Sequence, residues 1–436
     1  MKLDYGWQGP EDFKCWGPYL SFWKSAGTQM CISWQSKFFS RGRWIEYGET
    51  VDCEQKIEEP VQGAPSARMH VMILDGLKPN TTYYYRISRP EDLQKKPRPI
   101  YEFRTGPRDG ENVESFDFTI MGDIHGSNGK FTKLLRSMER NAPGARFIVS
   151  CGDCVTHGGE ESSWNQFFYE FSPFSPSIPF MNATGNHDTD HPETYARFLN
   201  VFRYPYDDVN MGGFYHFVYG NIVFIVLDSD NAGQSKATQG VVSDQQMEWL
   251  EETLDRYALK DYWIFIVMHH QMYSTGHFGM MHIYELAYRD LFDEYHVDGV
   301  FYGHDHHFEV YWTGRDSGWG GTHYCLVGNA GAVDIENQNP EREPSGPNYL
   351  WKGRTYIVER DGILGGNKTG GARNDEFVKE NHIYGIMEHG FAHFTIHGDR
   401  CEMRMWGTEN QLYFMDEYKR TGTGKQFHKP KHMRRI

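Results

Sequence analysis

The chain has 436 residues, of which 39% are hydrophobic and 24% charged, with a formal net charge of −15. That length exceeds what one simple core organises, so two domains are expected, with one large α/β domain as the alternative. The acidic balance argues against a general binder of nucleic acid or of anionic membrane, and any anionic ligand must be attracted locally.

Residues 1–108 read as an all-β sandwich. Thr28–Gln35 alternates, with Met30, Ile32 and Trp34 on one face, and Arg68–Leu74 alternates again. In Leu77–Arg86 the residues Leu77, Pro79, Thr81, Tyr83 and Tyr85 fall at every second position, a turn leading into a strand. Trp7, Trp16, Trp23, Trp34 and Trp44 are expected in a sandwich core and against a neighbouring domain rather than on a carbohydrate platform. Pro107–Asn112 is polar and turn-rich, as a linker is.

From residue 115 to 412 the pattern changes. Phe116–Met121, Phe147–Cys151, Ile222–Leu227, Tyr262–Met268 and Val297–Tyr302 are apolar runs of strand length. Ser243–Gln246 is a capping box that opens a helix with Met247, Leu250 and Leu254 on one face. Strands buried on both sides and alternating with helices predict a layered α/β domain. Residues 335–380 read as long loops, and His382–Trp406 returns to strand-like alternation. Residues 413–436 carry Lys419, Arg420, Lys425, Lys429, Lys431, Arg434 and Arg435 and read as a basic, solvated tail.

The seven cysteines are odd in number and lack compact spacing, which favours a reducing compartment. No basic head followed by an apolar core opens the chain, and no run reaches membrane-spanning length. A cytoplasmic location is expected, with a secreted form that has lost its signal peptide as the alternative.

Five short strings follow these strand candidates: Gly122-Asp123-Ile124-His125-Gly126, Gly152-Asp153, Gly185-Asn186-His187-Asp188, His269-His270 and Gly303-His304-Asp305-His306. In layered α/β proteins, function gathers at the carboxyl ends of strands, so scattered residues can share one location. A glycine stands before Asp123, Asp153, Asn186 and His304, where the backbone must turn sharply or approach closely. Two cations about 3.5–4 Å apart polarise both oxygens of an in-line displacement. Such a pair needs one bridging carboxylate and neutral imidazoles that do not cancel its charge. Two Asp, four His and one Asn would leave roughly two units of positive charge there, enough to draw a phosphate to an acidic protein.

In this order the strings resemble the calcineurin-like metallophosphoesterases, whose pattern is Asp-x-His, Gly-Asp, Gly-Asn-His-(Asp/Glu), a later His, and Gly-His-x-His. The resemblance implies that Asp123, His125 and His306 hold one metal, that Asp153 bridges, and that Asn186, His269 and His304 hold the second. It implies that His187 contacts the phosphate or protonates the leaving oxygen, with Asp188 orienting it. A metal-bridging hydroxide would attack phosphorus in line, with a small phosphoester as substrate and neither nucleic acid nor membrane as partner. His269 rather than His270 is selected because it lies four residues before Tyr273. His277 is similar in place to a phosphate-contacting histidine. Specificity is expected in the loops Asp228–Thr238, His277–Ile283 and Gly314–Thr322.

Leu77–Tyr85 resembles the Leu-x-Pro-x-Thr-x-Tyr-x-Tyr signature of fibronectin type III domains. Together with the helix Gln246–Leu254 and the ending near Tyr384–Phe394, it resembles purple acid phosphatases. The implied architecture is an N-terminal all-β sandwich followed by an α/β/β/α metallophosphoesterase domain. Two residues depart from that family. Thr156 stands where its metal-binding Tyr is expected, and His125 stands where it has no histidine. Imidazole in place of phenolate removes a ligand that favours Fe(III), so a colourless pair of divalent ions (Mn, Zn or Fe) is expected. Phosphomonoester hydrolysis is the implied activity. The alternatives are a phosphodiesterase of nucleotide or lipid-headgroup type, or a non-catalytic scaffold.

Overall fold

The computed structural model describes residues 15–59, 67–88, 98–126, 129–189, 192–206, 213–230, 242–258, 260, 262–276, 278–314, 319–333, 357–358, 380–421 and 424–428. Seven strands form the N-terminal part: β1 (Tyr19–Ser21), β2 (Met30–Ser40), β3 (Trp44–Gly48), β4 (Gln55–Glu58), β5 (Ala67–Leu74), β6 (Thr82–Ile87) and β7 (Tyr101–Arg104). They make a three-stranded sheet, β1-β2-β5, and a four-stranded sheet, β4-β3-β6-β7. Met30, Ile32 and Trp34 are fully buried, as their alternation predicts. The Tyr83 hydroxyl accepts the Lys78 backbone N–H at 2.9 Å and so fixes the turn before β6.

The larger domain continues with β8 (Phe116–Met121), α1 (Lys130–Asn141), β9 (Ala145–Ser150), α2 (Glu161–Phe171), β10 (Phe180–Asn182), α3 (Pro192–Val201), β11 (Tyr215–Tyr219) and β12 (Ile222–Val226). Then follow α4 (Asp244–Ala258), β13 (Trp263–Val267), α5 (His282–Glu294), β14 (Gly299–Tyr302), β15 (Phe308–Trp312), β16 (His323–Val327) and β17 (Ile357–Val358). The last strands are β18 (His382–Ile386), β19 (Gly390–His397), β20 (Arg400–Gly407), β21 (Leu412–Thr421) and β22 (Gly424–His428).

These strands form two sheets, β10-β9-β8-β19-β20-β21-β22 and β11-β12-β13-β14-β16-β15-β18-β17. Phenylalanines fill the space between them. Phe118 lies 5.1 Å from Phe394 on its own sheet and 5.2 Å from Phe224 on the other, ring centre to ring centre. The opposite face of the second sheet packs Ile225, Ile266 and Tyr302 against Leu250 and Leu254 of α4 and Tyr284 and Tyr288 of α5. Helices α1 and α2 cover the first sheet, giving the expected α/β/β/α layering.

The segment 413–436 departs from expectation. Strand β21 pairs with β20 from Arg400 to Trp406, and β22 pairs with β21, so residues 413–421 and 424–428 are sheet rather than solvated tail. Phe414, Asp416 and Tyr418 turn inward on alternate positions. Lys419 and Arg420 lie on β21, between β20 and β22, and residues 429–436 lie outside the described residues.

The β-sandwich docks on the larger domain through buried contacts. Trp16 stacks on Phe168 at 5.0 Å and donates its indole N–H to Asn165 Oδ1 at 2.7 Å. The Tyr85 hydroxyl donates to the Pro176 carbonyl at 2.8 Å. Trp16 and Trp34 thus take the interface and core places expected of them. Among the described residues, no helix is long and apolar enough to cross a membrane.

Candidate metal centre

The parallel strands of both sheets end at one cleft, and their terminal loops interlock there. The Asp123 N–H donates to the Gly152 carbonyl at 3.0 Å, and the His125 N–H to the Asp153 carbonyl at 3.1 Å. The Gly303 N–H donates to the His269 carbonyl at 2.9 Å. Across the two sheets, His269 Nδ1 hydrogen-bonds the Cys151 carbonyl at 2.8 Å. Four non-glycine residues at this junction have left-handed backbones: Asp123 (φ 57°), His125 (51°), Asp153 (52°) and His304 (73°). Each such residue stores on the order of 1 kcal/mol of strain, a pattern that gathers at functional sites.

Two of the expected glycines show why they are needed. A Cβ on Gly185 would lie 2.2 Å from Asp153 N and Oδ1, and one on Gly303 would lie 2.1 Å from Asp123 Oδ2. The loops reach the carboxylates only because these positions lack side chains.

The expected ligand atoms converge. On one side, Asp123 Oδ1 lies 3.5 Å from His306 Nε2 and 3.9 Å from His125 Nε2, and the two imidazole nitrogens are 3.3 Å apart. On the other, Asn186 Oδ1 lies 2.9 Å from His269 Nε2 and 3.0 Å from His304 Nδ1. Asp153 sits between the two groups. Its Oδ2 is 3.3 Å from His269 Nε2 and 3.7 Å from His125 Nε2. Asp123, His125 and His306 form one cluster able to hold an ion, and Asp123, Asp153 and His269 another.

Hydrogen-bond chemistry tests whether these atoms fit cations. Because a carbonyl only accepts, His269 must carry its proton on Nδ1 to bond Cys151, which turns the Nε2 lone pair of the neutral ring toward the acceptors Asn186 Oδ1 and Asp153 Oδ2. Asp153 Oδ2 is buried and has no hydrogen-bond partner among the described residues. Lone pairs meeting in a buried cleft are favourable only around positive charge. The electrostatics put a proton on His269 Nε2 in the place a cation would take. Burial opposes charge on His269, but the Asp153 carboxylate overrides it and holds the imidazole up at about 10. Asp153 is driven well below the usual carboxylate range, against its burial, by His269 and His125. Burial keeps His125 down at about 3 and His304 well below the ordinary imidazole value. The residues therefore fit two divalent ions.

His187 stands at the rim of this cluster. Its backbone N–H donates to Asp153 Oδ1 at 2.8 Å, and its Nδ1 hydrogen-bonds the Thr156 carbonyl at 2.8 Å. Nδ1 is thus the protonated nitrogen, which leaves Nε2 for other chemistry. The expectation that Asp188 orients His187 is corrected here. Asp188 is fully buried and accepts the backbone N–H groups of Val155 (3.2 Å) and Gly185 (3.3 Å), clipping one ligand loop to the other. The orienting partner is Thr156, whose hydroxyl also donates to the His125 carbonyl at 2.8 Å. Sequence reasoning noticed Thr156 only for the tyrosine it replaces.

His269, not His270, faces Asn186 and Asp153. His270 hydrogen-bonds Ser229 Oγ at 3.1 Å and packs against His304 at 4.5 Å. His277 lies outside the described residues, as do residues 231–238 and 315–318 of the expected specificity loops. Two neighbours lie within the expected loops Asp228–Thr238 and His277–Ile283 without having been singled out there. Ser229 Oγ accepts the backbone N–H groups of both His269 and His270, and Phe278 stacks on His304. The apolar run Ile222–Leu227, which ends just before Asp228 and Ser229, was the signal for the former.

Comparison with known proteins agrees with this geometry. Residues 116–308 match the calcineurin-like phosphoesterase family, and residues 16–105 match the purple acid phosphatase N-terminal domain. Purple acid phosphatase 15 of Arabidopsis thaliana is 24% identical over 275 residues, 56% of this chain and 49% of that protein. Purple acid phosphatase 13 of the same plant is 23% identical over 422 residues, 86% of this chain and 73% of that protein. The chain spans between 49% and 61% of the length of the first curated relatives it matches. Among solved structures, a purple acid phosphatase from yellow lupin (Lupinus luteus) seeds has a TM-score of 0.67 at 17% identity, covering 92% of this chain and 73% of that one. PhoD has a TM-score of 0.65 at 13% identity, covering 95% of this chain and 92% of that one. Both structural likenesses are of fold.

Proposed function

We propose that this chain, a calcineurin-like phosphoesterase domain joined to a purple acid phosphatase N-terminal domain, is a dinuclear metal-dependent phosphoester hydrolase acting on phosphomonoesters. The observation that carries this reading is the convergence of His269 Nε2, Asn186 Oδ1 and Asp153 Oδ2 in a buried cleft.

Asp123, His125 and His306 would hold one ion, Asn186, His269 and His304 the other, with Asp153 shared. Bound there, divalent ions supply Lewis acidity, lower the pKa of water and neutralise phosphate charge. His187 is the candidate general acid. Its Nδ1 is anchored on Thr156, so Nε2 can hold a proton for the departing alcohol oxygen. Asp188 keeps the two ligand loops in register. The preference for monoesters rests on the domain pairing and on the names of the relatives. The preference for divalent Mn, Zn or Fe rests on Thr156, whose hydroxyl is engaged with a backbone carbonyl and offers no phenolate.

The test is turnover of p-nitrophenyl phosphate against its bis ester, after chelation and readdition of Mn²⁺, Zn²⁺ or Fe²⁺. Metal-restored cleavage favouring the monoester supports the reading. Preference for the bis ester makes the protein a diesterase. A wild type inert toward a broad phosphoester panel with every metal refutes catalysis and leaves the scaffold reading.

A further inference from the structure

Glu309 and Tyr311 share one face of β15, the face whose apolar cluster packs against α4 and α5, and Glu309 is fully buried there. A carboxylate in such a place is costly unless donors surround it. Here they do. Oε2 accepts the Thr275 N–H at 2.9 Å and the Tyr311 hydroxyl at 2.6 Å, and His307 Nε2 lies 3.3 Å away. Oε1 accepts the Thr275 hydroxyl, and His382 Nε2 lies 3.5 Å away.

The backbone is bent to bring these groups in. Strand β18 pairs Tyr384 with Val310 and then His382 with Tyr311, so Ile383 is an extra residue and forms a β-bulge. In a regular strand His382 and Tyr384 would face the same side. The bulge turns His382 to the Glu309 face, while Tyr384 packs against Phe414 on the other. The turn that carries Thr275 is pressed equally close. A Cβ on Gly276 would lie 2.3 Å from His307 Cε1 and 3.0 Å from Asp305 Cγ. Asp305, also fully buried, accepts the Ser274 hydroxyl through Oδ2. The segments joined in this way are those that present metal ligands. Thr275 lies on the loop that follows His269, His307 follows His306, and Asp305 stands between His304 and His306.

We propose that Glu309 is a positioning residue for the metal centre: its carboxylate clamps the loop after His269 to the segment that carries His304 and His306, and so fixes the spacing of imidazoles that come from two strand ends. The proposal rests on the dinuclear reading of the site. Groups outside the ligands themselves set metal affinity in this way by holding the ligands in place.

The experiment measures Mn²⁺ binding to chelated protein by calorimetry, at a temperature below the unfolding of every variant. Glu309→Met, similar in length but without acceptors, should bind Mn²⁺ about 10–100-fold more weakly than the wild type. Glu309→Gln should recover most of that loss. The Thr275 N–H can only donate, so the Gln oxygen takes the place of Oε2 and the amide NH₂ faces Thr275 Oγ1 and His382 Nε2, both able to accept. The double variant Thr275→Val/Tyr311→Phe deletes two hydroxyl donors with little change of shape and should weaken binding about 10-fold. It reports on the same clamp where Glu309→Met fails to fold. Variants that lower Tm but bind Mn²⁺ as the wild type does overturn the proposal, because Glu309 then serves the fold alone. Equal losses in Glu309→Gln and Glu309→Met overturn it as well, since the hydrogen bonds would then not be what holds the ligands. A wild type that binds neither Mn²⁺ nor Zn²⁺ refutes the metal centre and the clamp with it, whereas unchanged binding in the variants refutes the clamp only.

Discussion

Asp153→Asn separates the proposed metal-binding role of this residue from its structural role. The wild-type carboxylate accepts the His187 N–H through Oδ1 and turns Oδ2 to His269 Nε2. The amide keeps an oxygen for His187 and presents N–H groups to the Nε2 of a His269 that is then neutral, so the hydrogen bonds are kept while the Asp153–His269 charge pair is lost. With metal, the shared anionic ligand is lost. Two ions at about 100 times their dissociation constants stabilise a protein by about 2.7 kcal/mol each, about 5.5 kcal/mol together. Unfolding entropy near 2.1 cal/mol/K per residue gives about 0.9 kcal/mol/K for a chain of this size. The wild-type Tm should therefore rise by about 6 °C on adding metal to chelated protein. The Asp153→Asn shift should be less than half of that, each shift being taken against the same protein's own chelated Tm. Differential scanning fluorimetry with and without chelator reads both quantities. Equal metal-induced shifts in the two proteins would refute the bridging role. A variant that unfolds without metal would instead make Asp153 a structural residue.

His187→Ala should lower kcat by about 10²–10³-fold with little change in KM, while elemental analysis finds the metal content unchanged; lost metal would instead make His187 a ligand. Iron-loaded wild type should be colourless in the visible because Thr156 offers no phenolate, and a purple charge-transfer band would contradict the divalent pair. Away from the site, burial lifts the Asp416 carboxyl to about 8, against about 3.9 in an unfolded chain. Between those values the folded state keeps a proton that the unfolded state has released, so this group costs stability as pH rises. Asp416→Asn should therefore match the wild-type Tm near pH 4 and exceed it by about 2–5 °C above about pH 8, and parallel Tm curves would show that the carboxyl is not strained.

The metal centre was legible because its signals are local. A buried run, a glycine and a ligand fall within a few residues, and strand order needs only to bring the run ends together. The turn before β6 was legible for the same reason, since Leu77 to Tyr85 carries its own alternation. What escaped depends on where backbone goes after a loop closes. Nothing in Asn186-His187-Asp188 says that His187 Nδ1 meets the Thr156 carbonyl, because a carbonyl has no residue identity. Asp188 was misread because adjacency in sequence suggests contact, whereas its carboxylate points back at two amides. Strand β21 was hidden by its charges. Phe414, Asp416 and Tyr418 alternate inward, but an acidic residue in the middle of three breaks an apolar pattern.

The position of the strain explains why this centre needs so large a scaffold. Asp123, His125, Asp153 and His304 each hold a left-handed backbone, and all four are aspartate or histidine with no glycine freedom. Loops alone would relax them. They persist because hydrogen bonds tie the strand ends to one another: Asp123 to Gly152, His125 to Asp153, Gly303 to His269, and Gly331 and Ala332 to the Asp123 carbonyl. Those bonds link the carboxyl ends of both sheets, and the phenylalanine layer between the sheets fixes their spacing. The strained residues are thus held by packing that lies outside the cleft. The acidic surface is tolerable on the same logic, because a preorganised set of neutral imidazoles and few carboxylates keeps bound cations under-neutralised where a phosphate must enter.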